Sequence, residues 1–334
     1  MSATVAGLNL QADIEVDAAI YENDDSDYAS SGFETSTQSL TSSVNQYIFE
    51  NGRRYHSYYG PEKNYQPTDE TEQDRLDLHH EIFLLLLDGE LHLAPIADSP
   101  QRILDIGTGT GIWAIDMADK HPSAEVVGTD LSPIQPNWVP PNCKFEVDDA
   151  EQDWTYADDH FDFIHARNIA QGVSNWTKVM SEMYRTVKPG GWVELAELGS
   201  VFGSDDGSLK PDNPMLRVWG LFDEALVTLG RPMPDGDTLR ERLEEAGFVD
   251  VVVTPVKQPF GPWPKDKRLK KAATMALLCA ETGVEAYCMA LYTRVLKMSS
   301  EEAKQVCDAT LRAHKDKRTH MYNYLNIAYG RKPE

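Results

Sequence analysis

The chain has 334 residues and a formal net charge of −23 at pH 7, which is enough length for one large α/β domain with additions. So acidic a chain is repelled by phosphate backbones and anionic membranes, and we expect no direct binding to nucleic acid. It contains no apolar stretch long enough to span a membrane and does not begin like a signal peptide, so we expect an intracellular protein, in the cytoplasm with the nucleus left open.

The first segment, residues 1–45, is acidic and contains no Lys or Arg. A Ser/Thr-rich run extends from Ser30 to Ser43. Because this tail has few apolar groups to bury, we expect it to be disordered. It is either a phosphorylated segment that binds a regulatory protein partner or a solubilising extension, and its composition leaves both open.

Residues 46–98 predict an N-terminal lid followed by a helix. Aromatic residues and arginines are interleaved near the start, which in so acidic a chain favours a segment folded over the domain or its ligand. Tyr55 is the candidate for closing over a ligand, with core packing as the alternative. Thr68 or Asp69 can cap a helix that ends at Gly89.

Residues 102–118 read as a strand, a glycine loop and a helix. The loop contains three glycines, Gly107, Gly109 and Gly111. Glycines allow a sharp turn and a close approach of backbone N–H groups to a ligand, and the helix start attracts an anion. Position 112 is isoleucine, so the dinucleotide pattern G-x-G-x-x-G is incomplete. With Asp105 the pattern becomes D-x-G-x-G-x-G, which resembles the first motif of class I S-adenosylmethionine (SAM) methyltransferases, a purely structural turn being the alternative.

This resemblance implies that SAM binds at the carboxyl ends of the strands. Asp130 ends the next predicted strand and is the implied ribose ligand, with a solvated carboxylate at the strand end as the alternative. The acids after the following strand imply adenine contacts, through Asp149 with Ala150 or else through Asp148, and a plain turn stays open there. The implied cofactor-binding residues are Tyr55, Asp105, Gly107, Thr108, Gly109, Gly111, Trp113, Asp130, Leu131, Asp148, Asp149, Ala150 and Arg167.

Two residues near the ends of later strands are candidate catalytic groups. His165 lies near the end of the fourth predicted strand and Glu197 at the end of the fifth; each can be a general base, an acceptor ligand or a structural residue. Arg167 is expected to hold the methionine carboxylate or to orient a loop, because its guanidinium stays charged. Trp113 can close over the cofactor or pack in the core.

Three segments before the glycine motif narrow the resemblance, namely Glu50–His56, Glu72–His80 and Leu91–Ile96. With that motif they resemble the fungal LaeA-like (UMTA-type) methyltransferases over residues 47–332. The resemblance implies an α/β, Rossmann-like class I methyltransferase domain at residues 99–334, with a seven-stranded, mostly parallel sheet and an antiparallel last strand. It also implies an N-terminal helical addition, and a helical insertion at residues 266–315 before the last strand.

The remaining pattern predicts helices over 212–230 and 239–246, a strand over 249–253, a stiff loop over 255–264 and a closing strand over 321–329. Ser299 and Glu302 predict a capping box at the start of the last helix. The four cysteines are scattered without the spacing of a metal site, so we expect reduced packing residues and no metal.

The predicted function is transfer of a methyl group from SAM to a small-molecule acceptor, a secondary metabolite. The alternative is a LaeA-like regulator of secondary metabolism and development that acts through protein partners or methylates a protein; the acidic tail favours it. A nicotinamide oxidoreductase is a third hypothesis, disfavoured by Ile112 and by the Lys-Pro-Gly-Gly turn at residues 188–191.

Overall fold

A computed structural model describes residues 12–17, 46–60 and 62–334 of the chain. Within these ranges the strands are β1 (Tyr47–Glu50), β2 (Arg53–His56), β3 (Arg102–Ile106), β4 (Glu125–Asp130), β5 (Cys143–Val147), β6 (Phe161–Arg167), β7 (Val187–Leu198), β8 (Val249–Pro259) and β9 (Tyr322–Arg331). The helices are α1 (Glu70–Leu86), α2 (Ile112–Lys120), α3 (Trp176–Thr186), α4 (Pro214–Thr228), α5 (Gly236–Glu245), α6 (Lys267–Arg294) and α7 (Ser300–His314). Strands and helices are interleaved along the chain, as in other α/β domains.

Seven of these strands form one sheet in the order β5-β4-β3-β6-β7-β9-β8. Pairing is parallel from β5 through β7, whereas β9 is antiparallel to both of its neighbours. The predicted seven-stranded, mostly parallel sheet with an antiparallel last strand is therefore confirmed. The strand order reverses at β3, which has β4 on one side and β6 on the other, so a ligand crevice is expected at the carboxyl ends of these strands.

Both faces of the central strands are buried. On one face Ile103 packs in a cluster with Trp113 of α2. On the other face Leu104, the next residue of β3, packs in a cluster with Met180 of α3. Because successive residues of a strand point to opposite faces, a strand covered on both sides needs an unbroken apolar run, as β3 has. This packing fixes the end of β3, and with it the start of the glycine loop.

Helices α6 and α7 lie between β8 and β9 in the chain, at the place of the predicted insertion. Helix α6 is 28 residues long and packs along α1, with Ile82 of α1 and Ala276 of α6 in one buried cluster. Helix α7 begins with the predicted capping box: the Ser299 hydroxyl accepts from the Glu302 amide at 3.2 Å, and the Glu302 carboxylate accepts from the Ser299 amide at 3.0 Å. The insertion and α1 thus form one helical wall beside the sheet.

Strand β8 is longer than predicted, and the loop prediction is wrong over residues 255–259. Pro255 pairs with Asn326 of β9, and Pro259 pairs with Tyr322. Proline has no N–H to donate and is normally excluded from a central strand. Here β8 lies at the edge of the sheet, next to β9. The missing proline N–H groups therefore interrupt no hydrogen bonds to a strand on the other side.

Residues 12–17 belong to the tail for which we predict disorder, but the structure places them against the domain. Val16 forms an isolated antiparallel bridge with Pro264, and Ile14 is buried in a small cluster with Trp263. Disorder is therefore the wrong prediction for this short segment, because its two apolar side chains find partners on the loop after β8. The remainder of residues 1–45 lies outside the described residues.

Replacing Gly111 with alanine is expected to destabilise the fold. Gly111 has a φ of 83°, and a Cβ atom built there would lie 2.2 Å from the Cζ atom of Phe145. Left-handed backbone strain alone costs about 1–3 kcal/mol, so we expect a loss of this size in the unfolding free energy by urea titration. Gly220 lies within α4 with no atom within 4 Å of an added Cβ, and Gly220→Ala should be neutral or stabilising. Equal losses in both variants would contradict this account.

Candidate active site

A cavity of about 210 Å³ adjoins the glycine loop at the carboxyl ends of β3, β4 and β6, and we call it the glycine-loop cavity. The predicted cofactor-binding residues that line it are Asp105, Gly107, Thr108, Gly109, Trp113, Asp130, Leu131, Asp148, Asp149, Ala150 and Arg167. Gly111 and Tyr55 do not line it. Topology explains the convergence, because residues that follow neighbouring parallel strands meet at one edge of the sheet.

Asp130 at the end of β4 holds the glycine loop. Its carboxylate accepts from the Gly109 amide at 2.8 Å and from the Ser132 amide at 2.9 Å. Burial raises the pKa of Asp130 to about 6, against the lowering effect of these backbone donors. A carboxylate that is buried, yet ionised near neutral pH, is well suited to accept hydroxyl groups from a ligand.

Asp105 is held from two sides. One of its oxygens accepts from the Thr108 hydroxyl at 2.6 Å, and the other lies 2.7 Å from Nδ1 of His165. The His165 ring stacks on Trp113, with centroids 3.8 Å apart, and burial lowers the pKa of His165 despite the adjacent carboxylate. His165 does not line the glycine-loop cavity. This placement supports a role in positioning Asp105, in place of the predicted catalytic role.

Sequence reasoning missed a chain of hydrogen bonds that runs from Arg167 through His80 to Asp116. The Arg167 guanidinium donates to Nδ1 of His80 at 3.0 Å. Because a guanidinium can only donate, Nδ1 of His80 accepts from Arg167, and Nε2 donates to Asp116, 2.9 Å away. Burial lowers the pKa of Arg167 to about 10, so it remains a cation at neutral pH. The adjacent positions of His79 and His80 in the sequence gave no signal for these contacts, because the partners of His80 lie in α2 and β6.

Residues 63–68 and helix α1 are the parts of the N-terminal region that line the glycine-loop cavity. Within this loop, Lys63 lies 3.0 Å from the Asp149 carboxylate and 2.6 Å from that of Glu151. Tyr55 lies away from the cavity, fully buried, with the Arg294 guanidinium 4.7 Å from its ring centroid. Core packing, the alternative for Tyr55, therefore fits its position, whereas the loop at residues 63–68 lines the cavity.

A second cavity, the inner cavity, adjoins the first and is lined by α1, α4, α6 and the ends of β7 to β9. Its walls include Ile82, Glu197, Trp219, Phe222, Gln258, Phe260, Ala276, Val284, His314 and Asn323. Four residues line both cavities, namely His79, Asn168, Gln171 and Tyr287. Of the two predicted catalytic residues, Glu197 therefore lines the inner cavity, whereas His165 lines neither cavity.

The donor set of the glycine-loop cavity fits SAM. Arg167 would supply a buried cation for the methionine carboxylate, and Asp130 would supply acceptors for ribose hydroxyls. The acids after β5, Asp148 and Asp149, can accept from an adenine amino group. Among the described residues, a Cβ at Gly109 would meet only Leu76, at 3.5 Å, so this part of the chain leaves space beside the loop backbone at Gly109.

The four cysteines are all free and buried. Within residues 12–17, 46–60 and 62–334, no helix combines the length and apolar character needed to cross a membrane. The same ranges contain no group of three or more His, Cys, Asp or Glu side chains arranged to hold a metal ion.

Comparisons with known proteins agree with this site. Residues 78–253 match the family described as "Methyltransferase domain". The chain is 43% identical over 280 residues to "Methyltransferase pytC" of Aspergillus terreus, covering 83% of this chain and 86% of that protein. It is 38% identical to "Secondary metabolism regulator LAE1" of Cochliobolus heterostrophus, covering 87% and 96%, and 34% identical to "Protein-methionine methyltransferase laeA" of Emericella nidulans, covering 88% and 79%. The chain therefore belongs to the fungal LaeA-like family of class I, SAM-dependent methyltransferases.

Proposed function

We propose that this methyltransferase acts on a small-molecule acceptor bound in the inner cavity. The observation that carries the proposal is the shared wall of the two cavities, formed by His79, Asn168, Gln171 and Tyr287. An acceptor in the inner cavity can meet the methyl donor without crossing bulk water, as in-line transfer requires. The inner cavity combines aromatic rings with a few polar groups, the usual composition of a small-molecule site.

Glu197 is the proposed general base. Its Oε1 atom accepts from the amides of Ile169 and Ala170 at 2.9 and 3.1 Å, so the carboxyl group is fixed after β7. Burial raises the pKa of Glu197 to about 8, which suits proton removal near neutral pH. SAM supplies a methyl group on a positively charged sulfur, and the role left to the chain is to orient the acceptor and take its proton.

The alternative is a regulator that acts through protein partners or methylates a protein. Two relatives favour it, because LAE1 is named as a regulator of secondary metabolism and laeA as a protein-methionine methyltransferase. The tail segment also supports it: Glu15 pairs with Lys265 at 2.7 Å, and Asp17 pairs with Lys270. A protein partner could bind the acidic tail by displacing these lysines. With either function we propose an intracellular protein, in the cytoplasm or the nucleus.

Incubation with methyl-labelled SAM and an extract of a metabolite-producing fungus separates the two functions. We expect label in the small-molecule fraction, and its loss with Asp130→Ala but not with Asp119→Ala, which removes an exposed carboxylate. Label confined to protein, or bound SAM with no transfer to any acceptor, would support the regulator and overturn our proposal.

A further inference from the structure

Three oxygen atoms on the wall of the inner cavity lack a hydrogen-bond partner within the described part of the chain. They are Oε2 of Glu197, Oε1 of Gln258 and Oδ1 of Asn323. The three residues are 1%, 2% and 2% exposed. Buried polar atoms in folded proteins are nearly always paired with protein or water, so three such oxygens in one cavity call for an occupant.

The orientation of these oxygens is set by their surroundings. Asn323 donates from Nδ2 to the Gly199 carbonyl at 2.9 Å, which leaves Oδ1 as its free atom. Gln258 pairs directly with Asn323 across β8 and β9, and its side chain also interacts with the His79 imidazole, at a geometry outside that of a hydrogen bond. Side chains of directly paired residues stand side by side on the same face of a sheet. The cavity wall therefore presents acceptors to its occupant.

The rest of the wall indicates the shape of that occupant. Aromatic rings of Trp219, Phe222, Phe260 and Tyr287 line the cavity, and Trp219 Nε1 is a further buried polar atom without a partner in the described ranges. Helix α6, which carries Tyr287, also contributes small side chains at Ala276, Ala280 and Gly283. The volume is about 60 Å³, room for on the order of five ordered waters, and the cavity is continuous with the larger glycine-loop cavity at the four residues that line both.

Building on the proposed function, we propose that the inner cavity binds a monocyclic aromatic acceptor with at least two hydroxyl groups. One hydroxyl donates to Glu197 and is methylated, and a second donates to Asn323 or Gln258. In the transfer, the acceptor oxygen forms the new C–O bond while the C–S bond of SAM breaks and its electron pair stays on sulfur. The hydroxyl proton passes to the Glu197 carboxylate, and the products are an aryl methyl ether and S-adenosylhomocysteine.

This acceptor chemistry differs from that of a methionine side chain. A thioether has no hydrogen to donate, so in this cavity it would leave all three oxygens unpaired. A methionine sulfur also carries no proton, so its methylation would release no proton for Glu197 to accept. The polar atoms of the wall thus favour a hydroxyl over the sulfur acceptor named for one relative.

The test is a binding series on the full chain saturated with S-adenosylhomocysteine, using resorcinol, 1,3-dimethoxybenzene and thioanisole as probes. We expect resorcinol to bind at least about tenfold more tightly than either other probe, because only resorcinol can donate to the free oxygens. Asn323→Leu should reduce this preference, whereas Asn137→Leu, at an exposed position, should leave it unchanged. Affinity for S-adenosylhomocysteine and the melting temperature report whether each variant is folded.

Equal binding of resorcinol and its dimethyl ether to the unmodified protein would overturn the subsite, and so would preferred binding of thioanisole. Neither result depends on a variant folding. The outcome is also separable from the proposed function: label in small molecules combined with equal probe affinities leaves that function standing, whereas label confined to protein overturns it whatever the affinities.

Discussion

Glu197→Gln is expected to lower the rate of methyl transfer to a hydroxyl acceptor by about 10²–10⁴-fold, the usual contribution of a general base. The amide cannot take a proton, although it can still accept from the Ile169 and Ala170 amides through its oxygen. Single-turnover transfer from labelled SAM measures the effect. Glu194→Gln is the matched control, since Glu194 is another buried carboxylate of β7, held by the Leu93 and Ala94 amides, and lines neither cavity. Similar losses of the transfer rate in both variants would show that Glu197 is not the general base.

The same assignment predicts a pH profile. Burial raises the pKa of Glu197 to about 8, and the charge of Arg242 opposes this. Burial lowers the pKa of His314 to about 4 and that of His79 well below its usual value, so both facing histidines are neutral, and Arg75 is paired with Glu72. The base is active when deprotonated, so kcat/KM should rise with pH towards about 8 and then level off. A profile that is flat from pH 6 to 9 would contradict the assignment.

Stability gives an independent check on Glu197→Gln. A carboxyl group whose pKa is higher in the folded than in the unfolded state stabilises the folded protein at low pH. This contribution is lost as pH rises from the unfolded-state pKa to the folded-state pKa. The glutamine variant should therefore melt above the unmodified protein at pH 8.5, with the difference shrinking towards pH 5. A low melting temperature at every pH would mean that the variant had lost its fold and not merely its base.

Asp130→Ala is expected to weaken binding of S-adenosylhomocysteine by about a hundredfold, or about 2.7 kcal/mol. The substitution removes the proposed ribose acceptors and the anchor of the Gly109 amide. Titration calorimetry measures the loss, with Asp119→Ala as the exposed control. Burial raises the pKa of Asp130 to about 6, so affinity should also fall below that pH as the carboxylate is protonated. Unchanged affinity in Asp130→Ala would require another ribose site.

The fold and the position of the glycine-loop cavity were predictable because their signals are local. Strand β3, the glycine loop and α2 form one continuous stretch, and the end of a parallel strand fixes where Asp130 must lie. Prediction failed where a neighbour decides the outcome. Pro255 reads as a strand breaker until β8 is known to be an edge strand, and nothing in the sequence around His165 shows that its ring stacks on Trp113.

The inner cavity was beyond sequence reasoning for the same reason. Gln258 and Asn323 lie 65 positions apart and meet only through the pairing of β8 with β9. Nothing in the local pattern around either residue marks it as facing a cavity. Glu197 was a candidate from the sequence because it ends a strand in the parallel part of the sheet, where position alone predicts proximity to the cofactor, and it lines the inner cavity.

The most direct test of the central claim is a crystal structure with S-adenosylhomocysteine and the labelled acceptor recovered from the fungal extract. The account predicts S-adenosylhomocysteine in the glycine-loop cavity and a small acceptor in the inner cavity, with its reacting oxygen within hydrogen-bond distance of Glu197. An acceptor bound outside the inner cavity, or a reacting atom with no contact to Glu197, would contradict it.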